Sequence, residues 1–310
     1  MNPSEKSDLQ LTSIIVITYN SSKYVLETLE STKLQTYQNI EIIISDDCST
    51  DNTVEICRQW IEENRSRFVR AELITAKKNT GIPGNCNRGL GIAQGEWIKI
   101  IAADDILLRN CIEVMVAFSI VKESYISTSY IEEFCEDGLP VRVNKRDASG
   151  RIKFFQKKHN EQFKSYVRSP VFLNTPAILF RNDLFKKIGC FDESFKMLED
   201  QPFLLKALRA GYNIYCNEEV TVRYRTAPKD EDRIKGQQED YYLCFNLYRR
   251  PYLNKCNILD MLVLYDYYLG NQTRNSINVF EKYIYRVLFN LTDPIYIKKK
   301  LDREDNGPKR

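Results

Sequence analysis

Two pairs of adjacent acids stand where apolar, β-branched runs of the chain end. Asp46 and Asp47 close "IEIIISDD", and Asp104 and Asp105 close "IKIIAADD". Like charges repel, so two carboxylates at the end of a buried strand are costly unless a positive group lies beside them. Mg²⁺ or Mn²⁺ meets this need, because such a hard cation binds one or two carboxylates together with phosphate oxygens. The acid pairs therefore predict a site where a divalent cation bridges the protein and a diphosphate-bearing ligand.

A third polar cluster follows the first apolar run of the sequence, where "SIIVITYN" ends in Thr18, Tyr19 and Asn20. In open α/β sheets, ligands bind beyond the carboxyl ends of the strands, so this cluster and the two acid pairs are expected to line one crevice. Neither G-x-x-x-x-G-K-[ST] nor G-x-G-x-x-G occurs in the sequence. This excludes a phosphate site built from the backbone amides of those glycine-rich loops.

The elements that must position these residues alternate between strand and helix. Four apolar runs predict strands, at 13–20, at 40–47, in "RAELITA" and in "EWIKIIA". Helices are predicted over 24–36, after the candidate N-caps Ser49 and Thr50, and in "GNCNRGLGIAQ". The alternation predicts an α/β fold whose mainly parallel, doubly wound sheet has right-handed crossovers over about the first 105 residues.

The strand and helix alternation ends after Lys122. Strand and turn material is predicted over 132–151, and short helices over 183–188 and 202–210. From Pro228 the chain is first charged and then rich in tyrosine, with apolar residues at helical spacing. This pattern predicts a helical C-terminal extension over 228–310.

Composition restricts the class of protein and its compartment. A hydrophobic share of 43% over 310 residues is typical of a globular chain, and a formal charge of +3 without an arginine-rich arm gives no sign of a nucleic-acid partner. The nine cysteines form no Cys-x-x-Cys pair and the N-terminus lacks a signal-peptide core, so a cytoplasmic location is expected. The lysines at 298–300 follow the apolar "PIYI" and leave contact with the inner face of the cell membrane open. Self-association is also left open.

Four segments in order resemble the signature of family 2 glycosyltransferases with the GT-A fold. They are "SIIVITYN", "EIIISDDCSTDNT", "NTGIPGNCNRGLGIAQGEWIKIIAADD" and "GCFDESFKMLEDQPFLLKALRAG", and the resemblance covers residues 12–225. It implies inverting transfer of a sugar from a nucleotide-diphosphate donor, commonly a UDP-sugar, with Mn²⁺ or Mg²⁺ as cofactor. It also implies a glycan or lipid-linked saccharide acceptor in bacterial cell-surface polysaccharide synthesis, such as that of capsule or O-antigen.

The resemblance assigns roles to individual positions of this chain. The residues that match donor-nucleotide positions are Thr18, Tyr19, Asn20, Asp47 and Asp104. Asp105 matches the metal ligand, and Asp200, in the "ED" of "KMLED", matches the general base. It further divides the chain into a GT-A catalytic domain over 1–227, with a nucleotide-binding half over 12–105 and an acceptor-binding half over 106–227, followed by the helical extension.

Two departures from the family pattern concern the donor site. The usual motif is often Asp-x-Asp-Asp, and here Ala102 stands in the first acidic place. This leaves open which of Asp104 and Asp105 touches the metal and which touches the ribose. Many relatives carry Ala-Arg-Asn where this chain has "NCN", so Cys86 replaces an arginine and an unusual donor pocket is expected.

Simpler structural roles stand beside the functional ones. Asp46 and Asp47 would also suit the start of the next helix, and Glu199 with Asp200 would suit the start of the helix that contains Pro202. The arginines of "VTVRYR" either reach the diphosphate or lie on a solvated strand. The competing functions are a sugar nucleotidyltransferase and a catalytically silent nucleotide-sugar binding protein, and an acid at position 200 favours catalysis over the silent protein.

Overall fold

The computed structural model of the chain describes residues 9–135, 140–143, 153–171, 173–226, 231–257, 259–264 and 267. Most of the C-terminal extension predicted over 228–310, including the lysines at 298–300, lies outside the described residues. The described part of that extension, 231–257 and 259–264, is largely helical. Part of the loop predicted within 132–151 also lies outside.

Four parallel strands form the N-terminal half of the sheet. They are β1 (Thr12–Thr18), β2 (Ile40–Asp46), β3 (Arg70–Thr75) and β4 (Trp97–Ala102), in the order β3-β2-β1-β4. β2 is buried at every position, and β1 and β4 are buried at all but one position. Such continuous β-branched runs form strands that are covered on both faces. The parallel, doubly wound half that the sequence predicts is confirmed.

The second half of the sheet mixes both strand directions. Its strands are β5 (Ile106–Leu107), β6 (Ile126–Phe134), β7 (Pro140–Val143), β8 (Ile178–Arg181) and β9 (Ile214–Arg225). The order continues from β4 as β8-β6-β9-β5, and β7 pairs with β6. β8 is antiparallel to both β4 and β6, whereas β6 and β9 are parallel. The complete sheet is therefore mixed.

Helices cover both faces of the sheet. They are α1 (Val25–Lys33), α2 (Thr53–Asn64), α3 (Gly81–Leu90), α4 (Cys111–Val121), α5 (His159–Arg168), α6 (Asn182–Ile188), α7 (Asp200–Arg209) and α8 (Glu231–Cys244). Apolar side chains of α1, α2 and α4 pack on one face, and those of α3, α5, α6 and α7 pack on the other. A π-helical turn, Phe245–Arg249, continues directly from α8.

The predicted caps of α2 are wrong. This helix begins at Thr53 with Asn52 at its N-cap, and neither Ser49 nor Thr50 takes that position. The Ser49 backbone N–H and hydroxyl donate to the Asp46 carboxylate at 2.9 and 2.5 Å, and the Thr50 N–H donates to the side-chain oxygen of Asn20 at 2.8 Å. Ser49 and Thr50 therefore join the polar ends of β1 and β2 to each other, which is why they do not cap the helix.

Two further features bear on the compartment. All nine cysteines are free thiols. Among the described residues, no helix combines the length and the apolar character needed to cross a bilayer. Within the described ranges the longest helix is α8 with 14 residues, whereas a spanning helix needs about 20.

Candidate active site

The C-terminal ends of β1, β2 and β4 lie side by side at one edge of the sheet. Thr18 is the register partner of Asp46, and Ile17 is the partner of Ala102. The Thr18 hydroxyl donates to the Asp46 carboxylate at 2.7 Å, which fixes the two strand ends together. The polar residues after these strands, predicted from sequence to share one crevice, are thus brought together at this edge.

Tyr19 and Asn20 have different surroundings although they are neighbours. The Tyr19 side chain is 50% exposed at the rim of the edge. Asn20 has a left-handed backbone conformation with φ of 48°, which asparagine tolerates better than most residues. Its N–H donates to the Ser49 hydroxyl at 2.8 Å and its side-chain oxygen accepts the Thr50 N–H. Asn20 therefore shapes the loop, and the Tyr19 ring remains available to stack on a ligand.

Asp47 organises the loop that leads into α3. Its carboxylate is buried, and it accepts the backbone N–H groups of Thr80 and Gly81, each at 2.9 Å. It also accepts the Thr80 hydroxyl at 2.7 Å and a guanidinium N–H of Arg88 at 2.9 Å. Four donors on one carboxylate hold the α3 loop firmly against the end of β2. Any contact between Asp47 and a ligand would share this carboxylate with the loop.

Arg88 brings a guanidinium to the end of β2, and the sequence motifs did not identify this residue. Besides Asp47, it donates to the side-chain oxygen of Asn85 at 2.9 Å and to the backbone oxygen of Asp46 at 3.2 Å. Cys86, at the position where relatives carry arginine, is fully buried, and burial raises the pKa of its thiol well above the ordinary value. This chain therefore has no arginine at position 86, and Arg88 brings a guanidinium to the end of β2. The arginine of "NCNRG", two residues after Cys86, was the signal in the sequence that could have identified this guanidinium.

Asp104 and Asp105 differ in accessibility. Asp105 is 1% exposed, and its carboxylate accepts the backbone N–H of Arg225 at 2.9 Å. The Asp105 backbone oxygen accepts the Thr28 hydroxyl at 2.7 Å. Asp104 is partly exposed, and its backbone oxygen accepts the Arg225 side-chain N–H at 2.9 Å. Of the two carboxylates, that of Asp104 belongs to the more accessible residue.

Arg225 holds the acid pair in place. Its guanidinium lies 4.1 Å from the centroid of the Tyr24 ring and 4.4 Å from that of the Phe134 ring, and it pairs with Glu27 at 2.7 Å. The residue is only 5% exposed, so it is not on a solvated strand position. Buried arginine stacked on aromatic faces is well suited to a fixed role of this kind.

Glu199 and Asp200 stand at the start of α7. Glu199 is the N-cap residue, and its carboxylate accepts the Thr175 hydroxyl at 2.6 Å. The Asp200 carboxylate accepts the Gln201 N–H at 2.6 Å. Both residues are partly exposed. The structural role at a helix start is therefore real, and it leaves both carboxylates at the end of the helix.

The two carboxylates are unusually hard to ionise. Burial, and then the negative charge of Glu199, raise the pKa of Asp200 to about 8. Burial also raises the pKa of Glu199. Each residue keeps some exposed surface, but the surrounding protein disfavours the charged form of its carboxyl group. A carboxylate with a pKa near physiological pH is suited to exchange a proton during a reaction.

Two tyrosines lie close enough to Asp200 to feel its charge, and both were missed from the sequence. Tyr166 of α5 is fully buried, and its hydroxyl has no hydrogen-bond partner among the described residues. Burial, and then the charge of Asp200, raise the pKa of the Tyr166 hydroxyl. The same two effects raise the pKa of Tyr241 of α8. No spacing in the sequence links either tyrosine to position 200.

The Glu199–Asp200 pair lies at the same edge of the sheet as the C-terminal end of β4, which Asp104 and Asp105 follow. β8 is antiparallel to β4, so Thr175, just before β8, lies near the C-terminal end of β4. Thr175 in turn binds Glu199. The charges of both Glu199 and Asp47 add to the burial that raises the pKa of Cys86, which is consistent with both carboxylates lying near this thiol.

A metal ion at this edge of the sheet would need oxygen ligands from a bound diphosphate as well as from the protein. Among the described residues, no cluster of three or more histidine, cysteine, aspartate or glutamate side chains could hold a metal. The edge instead offers the carboxylates of Asp104 and Asp105. One or two carboxylates completed by phosphate oxygens and water is the set that Mg²⁺ and Mn²⁺ accept, so the residues present fit such an ion when a diphosphate is bound.

Comparisons with known proteins agree with this geometry. The family profile described as glycosyl transferase family 2 matches residues 13–189. An uncharacterized glycosyltransferase of Haemophilus influenzae is 27% identical over 324 residues, which cover 96% of this chain and 98% of that protein. The poly(ribitol-phosphate) β-N-acetylglucosaminyltransferase TarS of Staphylococcus aureus is 28% identical over 247 residues, which cover 78% of this chain and 40% of TarS.

Solved structures resemble the chain in fold. The crystal structure of TarS 1–349 in complex with UDP-GlcNAc superposes with a TM-score of 0.56 at 21% identity, covering 93% of this chain and 79% of that one. The mannosyltransferase PcManGT of Pyrobaculum calidifontis, in complex with GDP-Man and Mn²⁺, gives a TM-score of 0.57 at 17% identity, covering 98% and 78%.

The chain belongs to glycosyl transferase family 2, because the family profile covers more than half of its length. It is a glycosyltransferase, and its mixed α/β sheet has the GT-A fold. The family resemblance that the sequence motifs carry is confirmed over residues 13–189, a range that ends before Glu199 and Asp200.

Proposed function

We propose that the chain is a metal-dependent, inverting glycosyltransferase that moves a sugar from a nucleotide-diphosphate donor to a saccharide acceptor. The observation that carries this proposal is that the Asp104–Asp105 pair and the Glu199–Asp200 pair lie at one edge of the sheet. Asp104 and Asp105 lie at the end of β4, and Glu199 and Asp200 lie at the same edge of the sheet. A donor diphosphate at the first pair would therefore place its sugar near the second.

The donor nucleotide is assigned to the ends of β1 and β2. The half-exposed Tyr19 ring offers a face for the base, and Thr18, Asn20 and Asp47 shape the rim beside it. TarS has been solved with UDP and with UDP-GlcNAc, which supports UDP-sugars as the first donors to examine here. GDP-mannose, found in PcManGT, is the second.

The more accessible Asp104 is proposed to bind the divalent cation directly. The buried Asp105 would add its negative charge beside this site. Sequence resemblance alone gave the metal to Asp105 and the ribose to Asp104. Burial favours Asp104 as the main metal ligand, because the Asp105 carboxylate already accepts an N–H from Arg225 and Asp105 is only 1% exposed. When bound, Mn²⁺ or Mg²⁺ would stabilise the negative charge that develops on the leaving diphosphate.

Asp200 is proposed as the general base. It would take the proton from the acceptor hydroxyl while the acceptor oxygen attacks the anomeric carbon opposite the leaving diphosphate. The raised pKa of Asp200, about 8, supports this role because a base of that strength holds the proton well at neutral pH. Glu199 contributes by keeping that pKa high.

The acceptor and the division of the chain are proposed on less direct grounds. The relatives TarS and the succinoglycan biosynthesis protein ExoO bear names from polymer synthesis, which supports a glycan or lipid-linked saccharide acceptor in cell-surface polysaccharide synthesis. We assign residues 12–105 to donor binding, 106–227 to acceptor binding, and 228–310 to a helical extension. A cytoplasmic site of action, with contact at the inner membrane face, remains part of this proposal.

Asp200→Asn tests the function. The amide oxygen can still accept the Gln201 N–H, so the start of α7 is kept while the base is removed. We expect transfer to fall by about 10²–10⁴-fold, whereas UDP binding in the presence of Mn²⁺ stays near the wild-type value. Asp183→Asn, the same change in the first turn of α6, is the matched control and should keep its activity.

Transfer by Asp200→Asn within a few-fold of the wild-type rate would overturn the assignment of the base. A wild-type protein that binds donor but neither transfers nor hydrolyses it would instead favour the silent nucleotide-sugar binding protein. Release of a nucleoside diphosphate in a screen of donors with and without Mn²⁺ separates these outcomes.

A further inference from the structure

Residues 189–198, between α6 and α7, lead directly into the Glu199–Asp200 pair and form no helix or strand. Some backbone N–H groups of this segment therefore depend on acceptors from other parts of the chain. The N–H groups of Lys196 and Met197 both donate to one carboxylate oxygen of Asp240, at 2.9 and 2.5 Å. Asp240 lies on α8, more than 40 residues later in the chain, and is only 7% exposed.

The remainder of α8 and the turn after it also grip this segment. The Tyr248 hydroxyl donates to the Asp192 carboxylate at 2.6 Å, and its ring centroid lies 6.1 Å from that of Phe195. Gly236 faces the Met197 thioether, where an added Cβ would come within 3.0 Å of the sulfur. The C-terminal helical region is therefore docked on the segment that carries the proposed base.

The opposite side of the same segment contacts the donor-side helix α3. The Lys196 backbone oxygen accepts the Ile82 N–H at 2.8 Å, and the Asn87 side chain bonds both ways with the backbone of Phe191. Gly81, with φ of 82°, approaches so closely that an added Cβ would lie 2.6 Å from the Lys196 oxygen. Gly81 also donates to Asp47. The peptide at Lys196 is thus fixed by α8 on one side and by the start of α3, at Gly81 and Ile82, on the other.

We propose that Asp240 is a positioning residue for the transfer reaction, and that this one buried carboxylate sets the place of the proposed base relative to the donor loop. The inference rests on the proposed function of Asp200. Only two residues, the buried Leu198 and the partly exposed Glu199, separate Met197 from Asp200, so movement of the Met197 peptide passes to the base. A displacement of about 1 Å in a reacting group can reduce the rate by about 100-fold.

Asp260 provides a matched comparison for a purely structural role. It is also an aspartate of the C-terminal region, and it is 6% exposed. Its carboxylate accepts the Arg168 side chain at 2.6 Å and the Asn254 N–H at 3.0 Å, and no hydrogen bond recorded for it reaches residues 189–198. A substitution at Asp260 loosens the C-terminal region without removing an acceptor from the segment that carries the base.

The experiment compares full-length Asp240→Ala, Asp240→Asn and Asp260→Ala in kcat, KM for the donor, thermal midpoint and pH–rate profile. For Asp240→Ala we expect kcat to fall by about 10- to 100-fold, with a smaller change in KM. The acid limb of its profile should move to lower pH, because a loosened segment admits water to Asp200 and lowers its pKa. Asp240→Asn should recover most of kcat, since its amide oxygen can accept the same two N–H groups.

Asp260→Ala should lower the thermal midpoint while keeping the wild-type kcat and pH profile. If Asp240→Ala behaves in the same way, Asp240 only stabilises the fold and the inference is overturned. If Asp240→Ala does not fold, Asp240→Glu moves the carboxylate by one methylene and should reproduce the fall in kcat. An unchanged kcat in that variant would equally overturn the inference.

The outcome at Asp200 separates this inference from the proposed function. If Asp200→Asn still transfers sugar, the proposed function fails and the Asp240 results no longer concern a base. If Asp200→Asn is inactive while the Asp240 variants have normal kcat and normal pH profiles, only the positioning role fails.

Discussion

Glu199→Gln should move the acid limb of the pH–rate profile to lower pH. In the wild-type protein, burial and then the Glu199 charge raise the pKa of Asp200 to about 8. Glutamine removes the charge but keeps a side-chain oxygen that can accept the Thr175 hydroxyl, now bonded to Glu199 at 2.6 Å. The substitution therefore isolates the electrostatic contribution of Glu199 from its contact with the loop before β8.

The size of the shift follows from the two causes of the raised pKa. Two like unit charges about 5 Å apart repel by roughly 3 kcal/mol at an effective dielectric constant of about 20, and 1.36 kcal/mol corresponds to one pKa unit. Burial is the larger cause of the raised pKa and persists in the variant, so we expect a downward shift of about one to two units. With a pKa of about 8, about a tenth of the wild-type Asp200 is ionised at pH 7. In the variant, about half or more should be ionised.

The assay is kcat for release of the nucleoside diphosphate between pH 5.5 and 9.5, with donor, acceptor and Mn²⁺ saturating. The sign is fixed by the chemistry: a base acts in its ionised form, so activity rises with pH through its pKa and a lower pKa preserves activity at lower pH. Glu62→Gln, which removes one exposed charge from α2, should leave the profile unchanged. An acid limb that stays in place, or that moves upward, in Glu199→Gln would refute the electrostatic role of Glu199.

The remaining predictions concern the donor edge. Asp104→Asn should abolish the gain in UDP affinity that Mn²⁺ provides and leave the thermal midpoint near the wild-type value, because Asp104 is partly exposed. Asp105→Asn should lower the free energy of unfolding by about 1–3 kcal/mol in denaturant titrations, because a buried charged acceptor for the Arg225 N–H is weakened. Identical effects of the two substitutions in both assays would contradict this division. Arg88→Met should weaken UDP binding in calorimetric titrations by about tenfold or more, because the Asp47 carboxylate loses a charged hydrogen bond worth about 1.5–3 kcal/mol. Cys86→Ala is its control and should bind UDP with nearly wild-type affinity, whereas unchanged affinity in Arg88→Met would show that Arg88 has no such role.

Features encoded by local periodicity could be predicted from the sequence. The β-branched runs at 13–20 and 40–47 became β1 and β2 within two residues at each end. Because parallel neighbours end at the same edge, the crevice formed by Thr18, Asp47 and the acids after β4 followed from the order of elements alone. Short-range polar signals were less informative: Ser49 and Thr50 look like caps in sequence, but they bond to the ends of neighbouring strands.

The parts of the site that the sequence did not reveal depend on contacts between distant residues. Arg225 contacts Asp104 and Asp105, which lie about 120 residues earlier in the sequence. Asp240 contacts Lys196, which lies more than 40 residues earlier. Tyr166 and Tyr241 come to Asp200 from two different helices. No periodicity or motif records these pairings, because they arise only when β9, α5 and α8 pack against the sheet.

Calorimetric titration of the wild-type protein with nucleoside diphosphates, in Mn²⁺ and again in EDTA, tests the central claim most directly. An edge lined by Asp104 and Asp105 should bind an anionic diphosphate only when a divalent cation neutralises the contact. We predict binding of at least one of UDP, GDP, dTDP and CDP in Mn²⁺, and a loss of that binding in EDTA. Equal affinity in the two conditions would contradict the account.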